Sequence, residues 1–381
     1  MNNIFNNMKQ TKQGITKLSV VMIVVTVIII GSLLYVAFFS TQNSFIRNSA
    51  QLIPTNEQVL AQRPQIADAD NSYYDLIALK GLIPASLPQV VLNYAAGSTT
   101  SAQNIKDLKK IVTQYKDAFA IFDASTEKPY YFCDDKVKKE VCNYSDIRNI
   151  ALLNSVRSGM LFENGKYADA MNISMNTLKF AQKLQQPSDS LMEYLISLAV
   201  KRIALQRISI ILKSGKISQE AFVAYQNLVS QYADNKGGQK NVLKIEQLGG
   251  FTLYINAITT NEYKTFFSYT GVDENDADMK SVVNRMQEVK TKNAETWDPY
   301  TTYNLLHEVY SNEVANIDLP CGSAYPSVWR PDETLDYSKP TKNIIGQLIY
   351  ANALTELNDL NVQRCSIDNL TNAVVSMSFV K

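Results

Sequence analysis

"ENGKYADAMNISMNTLKFAQKLQQP", Glu163 to Pro187, decides how the chain is read. Gly165 interrupts one amphipathic pattern, and a second starts two residues later at Tyr167. On that second segment Tyr167, Ala170 and Ala181 supply an aromatic and two small residues, and Pro187 follows its end. A glycine turn between two apolar-periodic segments, with small residues where they meet, predicts a close helical hairpin.

Working outward, the same period continues in both directions. Helices are expected at about 145–164, 167–186, 188–214, 218–233 and 239–262. "LMEYLISLAVKRIALQRISIILK", Leu191 to Lys213, is apolar around most of its circumference, which predicts a central, buried helix. Upstream, "DNSYYDLIALKGL" starts at the cap residues Asp70 and Asn71 and stops at Gly81, and "SLPQVVLNYAAG" stops at Gly97. Ile105, Leu108, Val112, Tyr115, Phe119 and Phe122 predict one helix from Ser101 to about Ala124. Downstream, a helix with an acidic start runs to about Ala294, and Pro299 breaks it. Another runs from about Tyr300 to Ala315, and a last one reaches about Val375. Residues 317–342 hold four prolines and no period, so a long loop is expected there. No useful strand alternation occurs. The expected class is all-α, an irregular helical stack.

The Gly165, Tyr167, Ala170, Ala181 pattern resembles the tetratricopeptide (TPR) hairpin over about residues 150–187. The second small position is shifted, the proline comes late, and no second copy follows at a 34-residue period. An ordinary helix pair is the other reading. The layout of anchor, stalk, "YYDLIALKGL", hairpin and "NIIGQLIYANAL" also resembles uncharacterised single-pass bacterial envelope proteins. No activity comes with that resemblance.

Leu18 to Phe39 is a charge-free run of 22 residues. As a helix it spans about 33 Å, enough for the hydrocarbon layer of a bilayer. A cleaved signal has a shorter apolar core and small residues before the cut, and neither is seen here. Lys9, Lys12 and Lys17 precede the run and no acidic residue does, which places the amino terminus in the cytoplasm. The expected organisation is a cytoplasmic tail (1–17), a transmembrane anchor (18–39), a stalk (40–66) and an extracytoplasmic helical domain (67–381). The expected location is the inner, cytoplasmic membrane, with the bulk of the chain periplasmic.

The net charge is +1, and the three leading lysines supply more than that, so the external part is near −2. No strongly basic face follows, and nucleic acid is not an expected partner. Four cysteines on the oxidising side of a membrane point to disulfides. Three pairings exist; spacing favours Cys133–Cys142, closing a small loop, and Cys321–Cys365, tying a late loop to the last helix. A zinc site has little support, with no C-x-x-C and the single histidine His307.

Other motifs fall short of their chemistry. "HEVYS" at His307 lacks the second zincin histidine, since position 311 is Ser. Ser125 to Lys128 fits S-x-x-K without the companion motifs of acyl-enzymes. "DENDAD" (273–278) lacks the glycine and glutamate of a calcium loop and reads as acids at a helix start. No phosphate or dinucleotide loop occurs, so no cofactor is expected. The expected function is a membrane-anchored scaffold that docks protein partners in the envelope. The alternative is an envelope hydrolase that uses paired carboxylates on glycans.

Overall fold

Serine hydroxyls set several of the helix starts. The Oγ atoms of Ser101, Ser190 and Ser218 each accept the backbone N–H three residues on, at 3.2, 3.1 and 3.2 Å. Each capped N–H would otherwise lack a partner in the first turn.

The computed structural model describes residues 53–55, 58, 65–98, 101–133, 142, 144–186, 190–260, 298–321 and 344–379. Every regular element among them is helical. In chain order these are α1 (Tyr73–Leu76, running on into a 3-10 turn Ile77–Leu79), α2 (Gln89–Ala95), α3 (Ala102–Gln114), α4 (Lys116–Ser125), α5 (Tyr144–Glu163) and α6 (Tyr167–Lys183). They continue with α7 (Leu191–Lys213), α8 (Gln219–Gln231), α9 (Lys236–Leu248), α10 (Gly250–Thr260), α11 (Pro299–Asn316) and α12 (Ile344–Val375). No described helix is long and apolar enough to cross a membrane, and the expected anchor Leu18–Phe39 lies outside the described residues.

Three boundaries differ from expectation, each for a local reason. The expected helix 101–124 breaks at Tyr115 (φ −97°, ψ 20°). Before the break only Leu108 is buried; after it Ala118, Phe119 and Phe122 are. The break lets α4 turn its aromatic face into the core while α3 lies on the surface. The expected helix 239–262 divides at Gly249 and Gly250, where two glycines weaken helix continuity. Pro299 begins α11 instead of only ending what precedes it. Asp298 Oδ1 caps the N–H groups of Tyr300 and Thr301 at 3.0 and 3.1 Å, and proline suits the first helical position.

Two hydrophobic cores share one wall. The first packs α1 to α5 around Leu79, Val91, Phe122, Ile150 and Leu153. The second packs α8 to α12 around Phe222, Val242, Ile255, Tyr310 and Leu360. α6 and α7 stand between them. Met171, Met175 and Leu178 of α6 enter the second core, and Phe180, Ala181 and Leu184 enter the first. α7 does likewise, with Val200 and Ile203 in the first core and Leu205, Ile208 and Leu212 in the second. That double burial explains why its sequence is apolar all round. Within the segment read as a stalk, Ile53 packs on the second core and the Pro54 carbonyl accepts Asn256 Nδ2 at 3.0 Å.

One glycine in the core has no room for a side chain. A Cβ on Gly159 would lie 2.5 Å from Cε1 and Oη of Tyr94. Tyr94 cannot swing away, because Arg207 lies over its ring at 4.7 Å and Arg207 Nη2 donates to its carbonyl at 2.9 Å. Gly159→Ala is expected to lower stability by about 1–3 kcal/mol in a urea titration, the cost of overpacking a core.

Candidate functional site

The hairpin expected from the sequence is present as a turn. Gly165 has φ +77°, and the Lys166 N–H reaches the Leu161 carbonyl at 2.9 Å, closing the end of α5. Tyr167 packs edge-on against Phe162, with centroids 5.2 Å apart. Ala170 and Ala181 are both wholly buried on α6. Ala170 meets α5 closely enough for Ser158 Oγ to donate to its carbonyl at 2.7 Å. Ala181 lies in the other core, so the two alanines serve different interfaces. Gly165→Ala is expected to cost about 1 kcal/mol by thermal or urea unfolding, because its backbone angle disfavours a side chain although space is open.

Beside this hairpin lies a groove of about 770 Å³. One wall is α3 with the end of α4, contributing Lys109, Thr113, Asp123 and Glu127. The other is α5 and α6, contributing Arg157, Asn164, Asp169, Asn172 and Asn176. Val112, Met160, Leu161 and Ile173 supply its apolar surface, and no aromatic side chain among the described residues lines it. Arg157 Nη1 spans both oxygens of Asp123 at 2.8 and 3.1 Å, and its guanidinium lies 5.0 Å from the centre of the Phe119 ring. The side chains of Asn164, Asn172 and Asn176 make no hydrogen bond among the described residues. A smaller hollow of about 410 Å³ opens between the Gly165 and Gly215 turns, and Asp169 lines both spaces.

Behind α6 runs a polar seam, buried at Lys201, Gln185, Asn235 and Gln239 and reaching the surface near Asp234 and Asp368. Lys201, wholly buried at the middle of α7, donates to Gln182 Oε1 and Asn235 Oδ1 at 2.6 Å each. The Tyr232 carbonyl (3.0 Å), Gln185 Oε1 (3.3 Å) and the Asp234 carbonyl (3.5 Å) complete its surroundings. Asn235 Nδ2 carries the chain on to Asp368 at 2.7 Å, and Asp368 receives Arg364 Nη1 at 2.5 Å. A parallel strand of the seam joins Gln239 to Asn361 at 2.7 Å and Asn361 to Glu313 at 2.9 Å. The seam thus ties α12 to α6, α7, α9 and α11. Burial raises the Glu313 carboxyl above its ordinary range.

Burial also pulls the Lys201 ammonium down to about 7, against the opposing charges of Asp234 and Asp368. In the unfolded chain it titrates near 10.5. Between those values the unfolded chain holds a proton that the folded chain has released, so stability rises with pH from about 7 to about 10.5. Below about pH 7 both states are protonated and the contribution is flat. Urea titrations at pH 6, 8 and 9.5 are expected to show this rise in the parent protein and a smaller one in Lys201→Met, where burial of Lys183, drawn down to about 8, still contributes.

The remaining sequence motifs are placed without chemistry. Ser125 is buried with its hydroxyl donated to the Phe122 carbonyl at 2.7 Å, and Lys128 pairs with Asp75 at 2.9 Å, so the S-x-x-K residues do not face each other. His307 lies on α11 beside Tyr303, with Ser311 Oγ 3.5 Å from Nδ1. No group of His, Cys, Asp or Glu among the described residues could hold a metal ion. The acidic run 273–278 lies outside them. Cys133 and Cys142 are bonded, as are Cys321 and Cys365, with Cα–Cα separations of 6.1 and 5.5 Å. Asn172 and Asn176 were not among the expected site residues, although two asparagines one turn apart in "NISMN" are a visible signal. Lys201 was not among them either; its signal is a lysine on a helix with no polar side to point it to.

No family model, no curated protein and no solved structure matches the chain.

Proposed function

We propose that the protein is a membrane-anchored, extracytoplasmic interaction module, a component of an envelope or secretion-type complex. The anchor at 18–39 tethers it and the groove beside the Gly165 hairpin receives a partner. The groove carries this reading: it has a volume of about 770 Å³ and three amides, Asn164, Asn172 and Asn176, that make no side-chain hydrogen bond among the described residues. The glycine turn at Gly165 and the close approach at Ala170 support a TPR-like reading of the hairpin, and stacked helices of that kind present grooves to other proteins.

The test is the native mass of the full chain extracted from its own membranes in mild detergent. A fixed stoichiometric complex is the expected result, and a lone monomer overturns the reading.

The second reading, a glycan hydrolase, draws on the three carboxylates of the groove, Asp123, Glu127 and Asp169. Arg157 already engages Asp123, and the groove offers sugar rings no aromatic face to stack on. Turnover of peptidoglycan fragments that disappears in Glu127→Gln or Asp169→Asn would favour this reading over the first.

A further inference from the structure

We propose that the groove takes an extended polypeptide segment of a partner protein and grips its backbone through Asn172 and Asn176. This rests on the interaction reading above and names its ligand.

The spacing carries it. Residues four apart on a helix have Cβ atoms about 5–6 Å apart on one face. An extended chain rises about 3.3 Å per residue, so its outward-facing N–H and C=O groups recur every two residues, at about 6.6 Å. A carboxamide has both a donor and an acceptor and can pair with an N–H and a C=O at once. Asn172 is exposed and Asn176 half-buried, and neither side chain has a hydrogen-bond partner among the described residues. Two such groups along α6 therefore match two successive repeats of an extended backbone. With that backbone in place, alternate side chains of the ligand turn to the apolar residues Val112, Leu161 and Ile173.

Other occupants fit less well. A helical ligand has its backbone groups already paired and would leave both carboxamides unanswered. A nucleic acid would meet Glu127 and Asp169, with Lys109 as the one cation of the groove that no carboxylate engages among the described residues. The charge balance selects a segment that is neutral to weakly basic.

The experiment uses the full chain in detergent micelles and a phage-displayed library of random 12-residue peptides. Enriched peptides are synthesised with blocked ends and titrated by fluorescence anisotropy. Asn172→Ala with Asn176→Ala is expected to weaken binding at least tenfold without changing the thermal melt. Methylating alternate backbone nitrogens of a peptide is expected to abolish binding in one phase and leave it in the other. Failure to enrich any peptide, equal binding by the double variant, or tolerance of methylation in both phases overturns the proposal. A native complex that persists alongside such failure means that the partner docks elsewhere, and the interaction reading then stands without the groove. Peptide binding by a chain that extracts alone from its membranes supports the groove and removes the complex.

Discussion

Arg364→Met is expected to lower the unfolding free energy by about 3 kcal/mol, the low end for breaking a buried ion pair, because the Asp368 left behind is partly exposed to water. Arg364 is wholly buried, and its guanidinium is the cation held against Asp368 at 2.5 Å. Methionine fills much of the space but leaves the carboxylate uncompensated at the point where Asn235 also binds it. The damage passes along the seam, because Asn235 is one of the groups that hold Lys201. Adding Asp368→Leu is expected to recover part of the loss, since removing both charges costs less than stranding one. Urea titrations of the parent, the two single variants and the double variant test this. A double variant as unstable as the sum of the singles would show that the pair is not coupled.

Removing Cys321–Cys365 by a double alanine substitution is expected to cost about 4 kcal/mol, and removing Cys133–Cys142 about 2.5 kcal/mol. The difference comes from loop length. The first bond closes a separation of 44 residues and the second a separation of 9. A longer loop leaves more freedom in the unfolded chain for the bond to remove. Both figures are differences in urea midpoint multiplied by the slope, measured without reductant. The Cys321–Cys365 result is expected to be non-additive with Arg364→Met, because Arg364 Nη2 lies 3.3 Å from Cys365 Sγ. Equal costs for the two bonds would contradict the loop-length account.

Local regularities were legible in the sequence, and convergence was not. The apolar period of Leu191–Lys213 announced a buried central helix, and Gly165 announced a turn, because both depend on neighbours within a few residues. The cysteine pairing followed from spacing. The break at Tyr115 did not show, because the apolar spacing runs straight through it. What changes there is the depth to which each half is buried, and burial is settled by other elements. Lys201 could be noticed but not explained, since its oxygens come from the end of α6 and from the link between α8 and α9. The groove needs α3, α4, α5 and α6 at once. A helical period names the buried face of each segment and says nothing about which faces meet.

The shared wall of α6 and α7 has a consequence for anyone who would divide the molecule. Neither half owns a complete interior. A fragment ending after α6 would present Met171, Met175 and Leu178 to water, and one beginning at α7 would present Val200 and Ile203. Each would bring a sticky, solvent-facing strip of its own making and would aggregate instead of folding. The two cores are therefore joined through the same pair of helices, and a cut between α6 and α7 opens both at once.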